Sequence, residues 1–405
     1  MILAVAWRNV WRNKLRSFIV LAAVAIGLFA GVFATGFYKG MADTRLKTGI
    51  KTEVSHIQIH MPGYLKDKEI RRYIGKSDHI IDELIQRGEM EGAGRRLIAE
   101  CFFKTAHGTR GLRIIGIEPE REKNVTDIFS RISEGNYLEG NSKIPGILVG
   151  NKLKDKLKLR LNSKVPVDIV DANGNFSSRL YKVCGFYTSN NTGYDEMTAF
   201  VKYEELRSQL GFSENPAHEI AIYLKPDVDV GEMKQKLADE FPVLEVKSWR
   251  EINKDLAYLV ESMDQYMFIF VWIILLALCF GIINTMLMVV LERTKELGML
   301  MAVGMSRFRV FVMIILESVF LSLTGGLIGI AIGYWVIKVF ETRPIILEIF
   351  KGFEQYGYSS EVYTNLPFQS ALKIAGLVVM LGVVSAIYPA IKAIRLHPVE
   401  AIRTE

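Results

Sequence analysis

Cysteine is scarce: Cys101, Cys184 and Cys279 are the only three in a chain of 405 residues. That excludes a disulfide framework, and because Cys279 lies inside an apolar run, Cys101 to Cys184 is the single bridge the sequence allows. Motifs for nucleotide or hydrolytic chemistry are also missing. There is no glycine-rich phosphate cradle ending in Lys-Ser or Lys-Thr, no nucleophile elbow, and no His or Cys cluster at metal-ligand spacing. The chain is therefore read as a non-enzyme without a cofactor or metal of its own, and energy for any work must come from another subunit. His56 and His60 stand four apart, but the alternation over residues 56–60 places them on one strand face around Gln58, as solvated histidines rather than ligands. Low-complexity segments are absent. The net charge is only +6, and the basic residues lie beside apolar runs, where the positive-inside rule accounts for them without nucleic acid.

What is abundant is apolar surface: 50% of the residues are hydrophobic and the mean hydropathy is +0.20. Apolar runs cover residues 18–37, 267–291, 310–340 and 374–388, and about 20 such residues suffice to cross a bilayer as a helix. The first run follows Arg8, Arg12, Lys14 and Arg16 and continues into Tyr38 and Lys39. It is too long for a signal-peptide core of roughly 7 to 15 residues, so it reads as a retained span. Ahead of it, Ala4, Trp7, Val10, Trp11 and Leu15 recur at helical spacing, the pattern of an amphipathic helix in the inner interface with its Trp pair at headgroup depth. Four spans put both termini on one side. The basic clusters Arg8 to Arg16, Arg293 to Arg309 and Lys392 to Arg403 mark that side as the cytoplasm.

The expected division is an amphipathic helix (1–16), span one (17–40), an extracytoplasmic α+β domain (41–264), span two (265–291), a cytoplasmic loop (292–309), span three (310–340), an outer loop (341–368), span four (369–391) and a cytoplasmic tail (392–405). Within the large domain, residues 97–103, 112–117, 219–224 and 244–246 read as strands, and residues 80–86 and 230–241 as helices. Two strand-helix-strand pieces flank a middle section, which suggests two lobes, one inserted in the other. Asp171-Ala172-Asn173-Gly174 is a hairpin turn between strands at 165–170 and 180–187. The polar loop 341–367 is expected to pack under this domain.

The cytoplasmic loop is the most informative segment. Charges at Glu292, Arg293 and Glu296 precede a short helical stretch, residues 297–303, closed by Gly304 as a C-cap. Inside the spans, Gly27 with Gly31, Gly36 with Gly40, and Gly325 with Gly329 and Gly333 repeat every four residues, which lets helices approach closely within a chain or across a dimer. Glu317 lies well inside span three, where a charge costs roughly 2.5 to 3.5 kcal/mol. No His or Lys partner is evident nearby, so it is read as holding a structural hydrogen bond; Asn284 is a second intramembrane polar residue.

The stretch Glu292-Arg293 through Glu296-Leu297-Gly298 and Ala302-Val303-Gly304 resembles the coupling segment of the FtsX/MacB/LolC-type permeases of ABC transporters. Residues 389–401, Pro-Ala-Ile-Lys-Ala-Ile-Arg-Leu-His-Pro-Val-Glu-Ala, resemble the ending of those families, and Ala6-Trp7-Arg8-Asn9-Val10-Trp11-Arg12-Asn13-Lys14 resembles their opening. The resemblance implies a bacterial inner-membrane permease dimer, of like or unlike chains, carried by a separate cytoplasmic ATPase that holds the ATP and magnesium. On that resemblance the first span is expected to form the dimer contact, packing within one subunit being the alternative, and ATP-driven helix movements are expected to reach the periplasmic domain. Within the superfamily, residues 54–64 and 183–187 with Asp195 look most like the lipoprotein-releasing LolC/LolE branch. Three acyl chains of roughly 15 carbons, at about 0.8 kcal/mol per CH₂, would cost on the order of 36 kcal/mol to expose to water, which is why such a task needs external power. The hairpin at 171–179 is short and lacks proline, unlike the carrier-grasping hook of that branch. MacB-type efflux through a periplasmic adaptor and FtsX-type signalling to cell-wall hydrolases remain as alternatives.

Overall fold

The computed structural model describes residues 2–12, 14–138, 143–189, 191–346 and 361–395. They fall into a helical unit (residues 2–42, 261–346 and 361–395) and an α+β unit (residues 43–260).

Four helices of the helical unit are long and apolar enough to cross a membrane: span one (Lys14–Thr48), span two (Lys254–Glu292), span three (Arg307–Thr342) and span four (Phe368–Ile394). Their surfaces are apolar nearly all round, as lipid-immersed helices require. Val20, Val24, Leu28 and Val32 form one stripe of span one and pack into a core with Met313, Ile314 and Leu321 of span three and Val378 and Leu381 of span four. The glycines sit where these helices meet. A Cβ on Gly329 would lie 2.4 Å from the Ala25 carbonyl oxygen, one on Gly325 3.0 Å from that of Leu21, and one on Gly333 2.9 Å from Val32. Gly27 and Gly31 face Leu278 and Ile274 of span two, and Gly36 faces Ile337 of span three. All six thus serve contacts inside one chain, and span two keeps the barest surface, with Phe268, Ile273, Leu276 and Phe280 exposed.

Spans one and two run past the boundaries placed at 40 and 265. The first stays helical to Thr48 and passes into a π-turn over Gly49–Val54, and the second begins at Lys254. Hydropathy marks where lipid must be met, not where backbone hydrogen bonding stops, so the polar continuations escaped it. The described part of the outer loop, residues 361–367, bonds to the membrane helices. The Thr364 hydroxyl donates to the Ile337 carbonyl at 2.8 Å and the Asn365 N–H to that of Gly36 at 3.0 Å, while Leu366 is buried in the helical core. This stretch caps spans one and three, because the Thr364 hydroxyl and the Asn365 backbone N–H satisfy helix carbonyls there.

The α+β unit is one ten-stranded sheet: β1 (Ile57–His60), β2 (Met90–Thr105), β3 (Gly108–Ile117), β4 (Ile132–Gly135), β5 (Gly146–Gly150), β6 (Lys164–Val170), β7 (Phe176–Tyr187), β8 (Thr198–Lys202), β9 (Glu219–Leu224) and β10 (Glu245–Ser248). The order β10-β1-β9-β2-β3-β8-β5-β7-β4, with β6 joining β7 back to β2, closes β2, β3, β8, β5, β7 and β6 into a barrel. The two lobes are real, but they share the 16-residue β2. Its first half pairs with β9 and its second with β3 and β6, and Arg96 stands at the changeover, opposite both Glu219 and Ile117. Phe103, Val167, Tyr181 and Phe186 fill the barrel. In the other lobe, Ile57, Ile59, Ile220 and Ile222 meet Ile81, Leu84 and Leu237 of helices Ser77–Gln86 and Val230–Glu240. The hairpin turn forms as read, with the Asp171 carboxylate accepting from the N–H groups of Asn173 and Asn175, both at 2.8 Å, and Gly174 at φ +87°. Cys101, Cys184 and Cys279 are all unpaired thiols.

The reading of solvated histidines is overturned. His60 is fully buried, its ring bonded to the His218 carbonyl and to Gln58 at 2.9 Å each, because β1 lies between β9 and β10 rather than at an edge. Tyr64 stacks between His60 and His218, at 5.5 and 5.3 Å. Burial pushes the His218 imidazole down to about 4 and lowers His60 as well. Folding therefore favours the neutral rings, and their contribution is complete above the unfolded value near 6.5 and is lost as pH falls from there toward 4. His218 alone should withdraw about 2 kcal/mol at pH 5. Thermal unfolding of this unit should accordingly start at a lower temperature at pH 5 than at pH 7, and identical midpoints would contradict the burial.

Candidate functional site

Span two ends at Glu292, the backbone turns at Arg293, and a short helix, Thr294–Ala302, follows before span three. This helix ends in a Schellman arrangement: the Gly304 N–H donates to the Met301 carbonyl at 3.1 Å and the Met305 N–H to that of Leu300 at 3.0 Å. Gly304 holds φ +105°, which only glycine adopts without strain. Leu297 and Gly298 are buried on the inner side. Met299, Ala302 and Val303 are exposed, as is Phe308 at the start of span three, and Val303 is 83% accessible.

The charges that precede this helix fasten it. The Arg293 guanidinium donates from one nitrogen to both oxygens of Glu317, at 3.0 Å each, and from Nε to Glu296 at 3.1 Å. Glu317 also accepts from the Asn9 amide at 2.6 Å, and Glu296 accepts from Arg12 at 2.5 Å. The cation of Arg12, followed by that of Arg293, holds the Glu296 carboxyl below its ordinary value. Glu317 is only 5% exposed and Arg293 14%, so this pair is screened little by water. Around the cluster is a cavity of about 350 Å³, which Lys14, Ser17, Thr285 and Glu292 also line.

Asn9 and Arg12 come from the N-terminal helix, Ile2–Arg12, whose Ala6 and Val10 are buried and whose Trp7 packs edge-on against Phe320 of span three at 5.4 Å. Trp7 and Trp11 remain about half exposed. One polar network therefore joins the N-terminal helix, the short helix and span three. Glu317 was expected to hold a structural hydrogen bond without a charged partner; instead Arg293 pairs with it, and Asn9 joins from 308 positions away. Nothing in local spacing marks Asn9 or Arg12 as members. Asn284 lies outside the network, exposed on span two. Of the C-terminal stretch, Pro389 to Arg395 lie in or just after span four, with Ala390 and Ala393 buried; residues 396–401 and Arg403 lie outside the described residues.

Four membrane-length helices, a short helix fixed by charge between spans two and three, and a large α+β insertion describe a polytopic membrane protein with a large extramembrane domain. A model of the MacB-like periplasmic core domain matches residues 17–240, more than half of the chain, and one of the FtsX-like permease C-terminal matches residues 268–398. The chain belongs to the FtsX/MacB family of ABC transporter permeases, non-catalytic membrane subunits that imply a partner ATPase. It is 21% identical over 315 residues to the lipoprotein-releasing system transmembrane protein LolC of Haemophilus influenzae, an alignment covering 75% of each chain. With the macrolide export ATP-binding/permease protein MacB of Bdellovibrio bacteriovorus it shares 35% identity over 125 residues, 31% of this chain but only 17% of that protein. The crystal structure of the periplasmic region of MacB from Actinobacillus actinomycetemcomitans aligns with a TM-score of 0.36 at 12% identity, covering 52% of this chain and 94% of that one.

Proposed function

We propose that this chain is the permease of a lipoprotein-releasing system in a bacterial inner membrane, with both termini cytoplasmic and the α+β unit in the periplasm. The observation that carries the coupling role is the short helix Thr294–Ala302: its outer edge, Met299 and Val303, is apolar and open, while its root is fixed by Arg293 to Glu317 of span three. A cytoplasmic ATPase seated on that edge moves span three through the buried Arg293–Glu317 pair, and the N-terminal helix with it through the Asn9–Glu317 hydrogen bond and the more exposed Arg12–Glu296 pair. Glu292, Arg293, Glu296, Leu297, Gly298, Ala302 and Gly304 form the receiving element. ATP and magnesium belong to the ATPase, and two permease chains, identical or not, complete the transporter. Changing Glu296 to Ala and Gly298 to Leu together should abolish substrate-stimulated ATP hydrolysis while leaving membrane insertion intact; unaltered stimulation would remove this helix from the mechanism.

The lipoprotein reading rests on the LolC alignment, which runs through three quarters of both chains. The MacB-like core domain supports efflux through an adaptor as the second reading. Proteoliposomes holding the chain and its ATPase, loaded with a triacylated lipoprotein and given a soluble carrier, decide between them. ATP-dependent release supports the first reading; retention of the lipoprotein with ATP hydrolysis intact transfers the assignment to efflux.

A further inference from the structure

The α+β unit also contains an open cavity of about 1090 Å³, just above the range of roughly 300 to 1,000 Å³ for small-molecule sites. Side chains alternate along a strand, so while Ile57, Ile59, Ile220 and Ile222 face the helices, Gln58 and Glu219 face this cavity, together with Arg96, Ile98, Arg113 and Ile115 of β2 and β3. Ile98 is directly opposite Ile115 in the strand register, and Arg113 is two residues along the same face.

The charges of the lining do not cancel. Arg96 is engaged by Glu122 and Glu219, and Lys247 by Glu245 and Glu251. Glu53 is paired with Arg45, and Glu251 also with Lys234. By contrast, the side chains of Arg113, Lys66, Lys68 and Lys254 make no hydrogen bond or ion pair among the described residues, and Arg250 only lies over the Trp249 ring at 5.2 Å, against a single unpaired lining carboxylate, Asp255; Glu100 stands opposite Arg113 in the strand register but outside the lining. Arg113 is half-buried, which weakens its competition from water.

We propose that this cavity binds a phosphate ester bearing a short apolar group, with the phosphate on Arg113 and the apolar group over Ile98 and Ile115. A guanidinium accepts a phosphate in bidentate fashion, and a phosphate monoester carries about −1.5 to −2 charges, which suits several unpaired cations better than a single carboxylate would. The same chemistry is offered by a lipid headgroup and by a soluble ester. The test is calorimetry on the full chain in dodecyl maltoside, titrated with hexyl phosphate. Saturable binding that R113E weakens at least tenfold, with an unchanged unfolding midpoint, carries the proposal; if R113E fails to fold, a loss of at least threefold in the exposed pair K66Q/K68Q does so. Displacement of hexyl phosphate by dihexanoyl phosphatidic acid assigns the site to lipid headgroups, and failure to displace it assigns it to soluble esters; either result supports a phosphate-ester site. No binding, equal binding by the variants, or inorganic phosphate binding as tightly as hexyl phosphate would overturn it.

Discussion

Replacing Glu317 by alanine is expected to destabilise the helical unit by about 3–5 kcal/mol, the usual result of removing one member of a buried ion pair. The reason is the guanidinium left behind. Arg293 is 14% exposed and would keep only Glu296, itself shared with Arg12, as a charged partner. The converse change, Arg293→Ala, leaves the carboxylate of Glu317 inside a membrane span with only the Asn9 amide beside it. Each single variant should show a lowered unfolding midpoint and lose ATPase stimulation. The double variant R293M/E317M should recover most of the stability, since two apolar side chains of similar bulk need no hydration, yet it should not recover stimulation. Recovery of both would reduce the pair to a packing feature, and a harmless E317A would refute its burial.

The second large effect is expected at Arg96, in the α+β unit. Its side chain is 4% exposed and holds Glu122, 1% exposed, at 2.5 Å and Glu219, 8% exposed, at 2.7 Å. Arg96→Ala strands two buried carboxylates at the point where β2 passes from one lobe into the other, and should cost about 3–5 kcal/mol. R96M with E122Q and E219Q should be markedly less damaging, because neutral amides can bond to each other and to Thr126, whose hydroxyl already donates to Glu122 at 3.0 Å. Chemical denaturation followed through both lobes checks this. Loss confined to one lobe would show that β2 does not couple them.

The membrane helices and many strands were legible because they depend on local pattern. Residues 219–224 alternate and form β9 with the same bounds, and the apolar runs name four spans whose polar continuations, such as Asp43 to Thr48, carry no such mark. Barrel closure was not legible. It depends on Cys101 to Phe103 meeting Val167 to Ile169, a pairing across more than sixty residues that no periodicity encodes. The coupling segment was recognised by its motif, yet its anchor was not, since Arg293, Glu317 and Asn9 converge only after three helices have packed. The glycine stripes showed the same limit: spacing announces close approach, and only the packed helices reveal that Gly329 meets Ala25 of its own chain.

The central claim is that an ATPase seats on the open edge of the short helix, and co-purification tests it most directly. The tagged chain, expressed with its ATPase, is compared with M299D/V303D, two exposed positions whose change leaves the core untouched. The account predicts at least a tenfold loss of bound ATPase from the variant at equal membrane content. Undiminished ATPase on the variant would place the contact elsewhere on the chain and contradict the account.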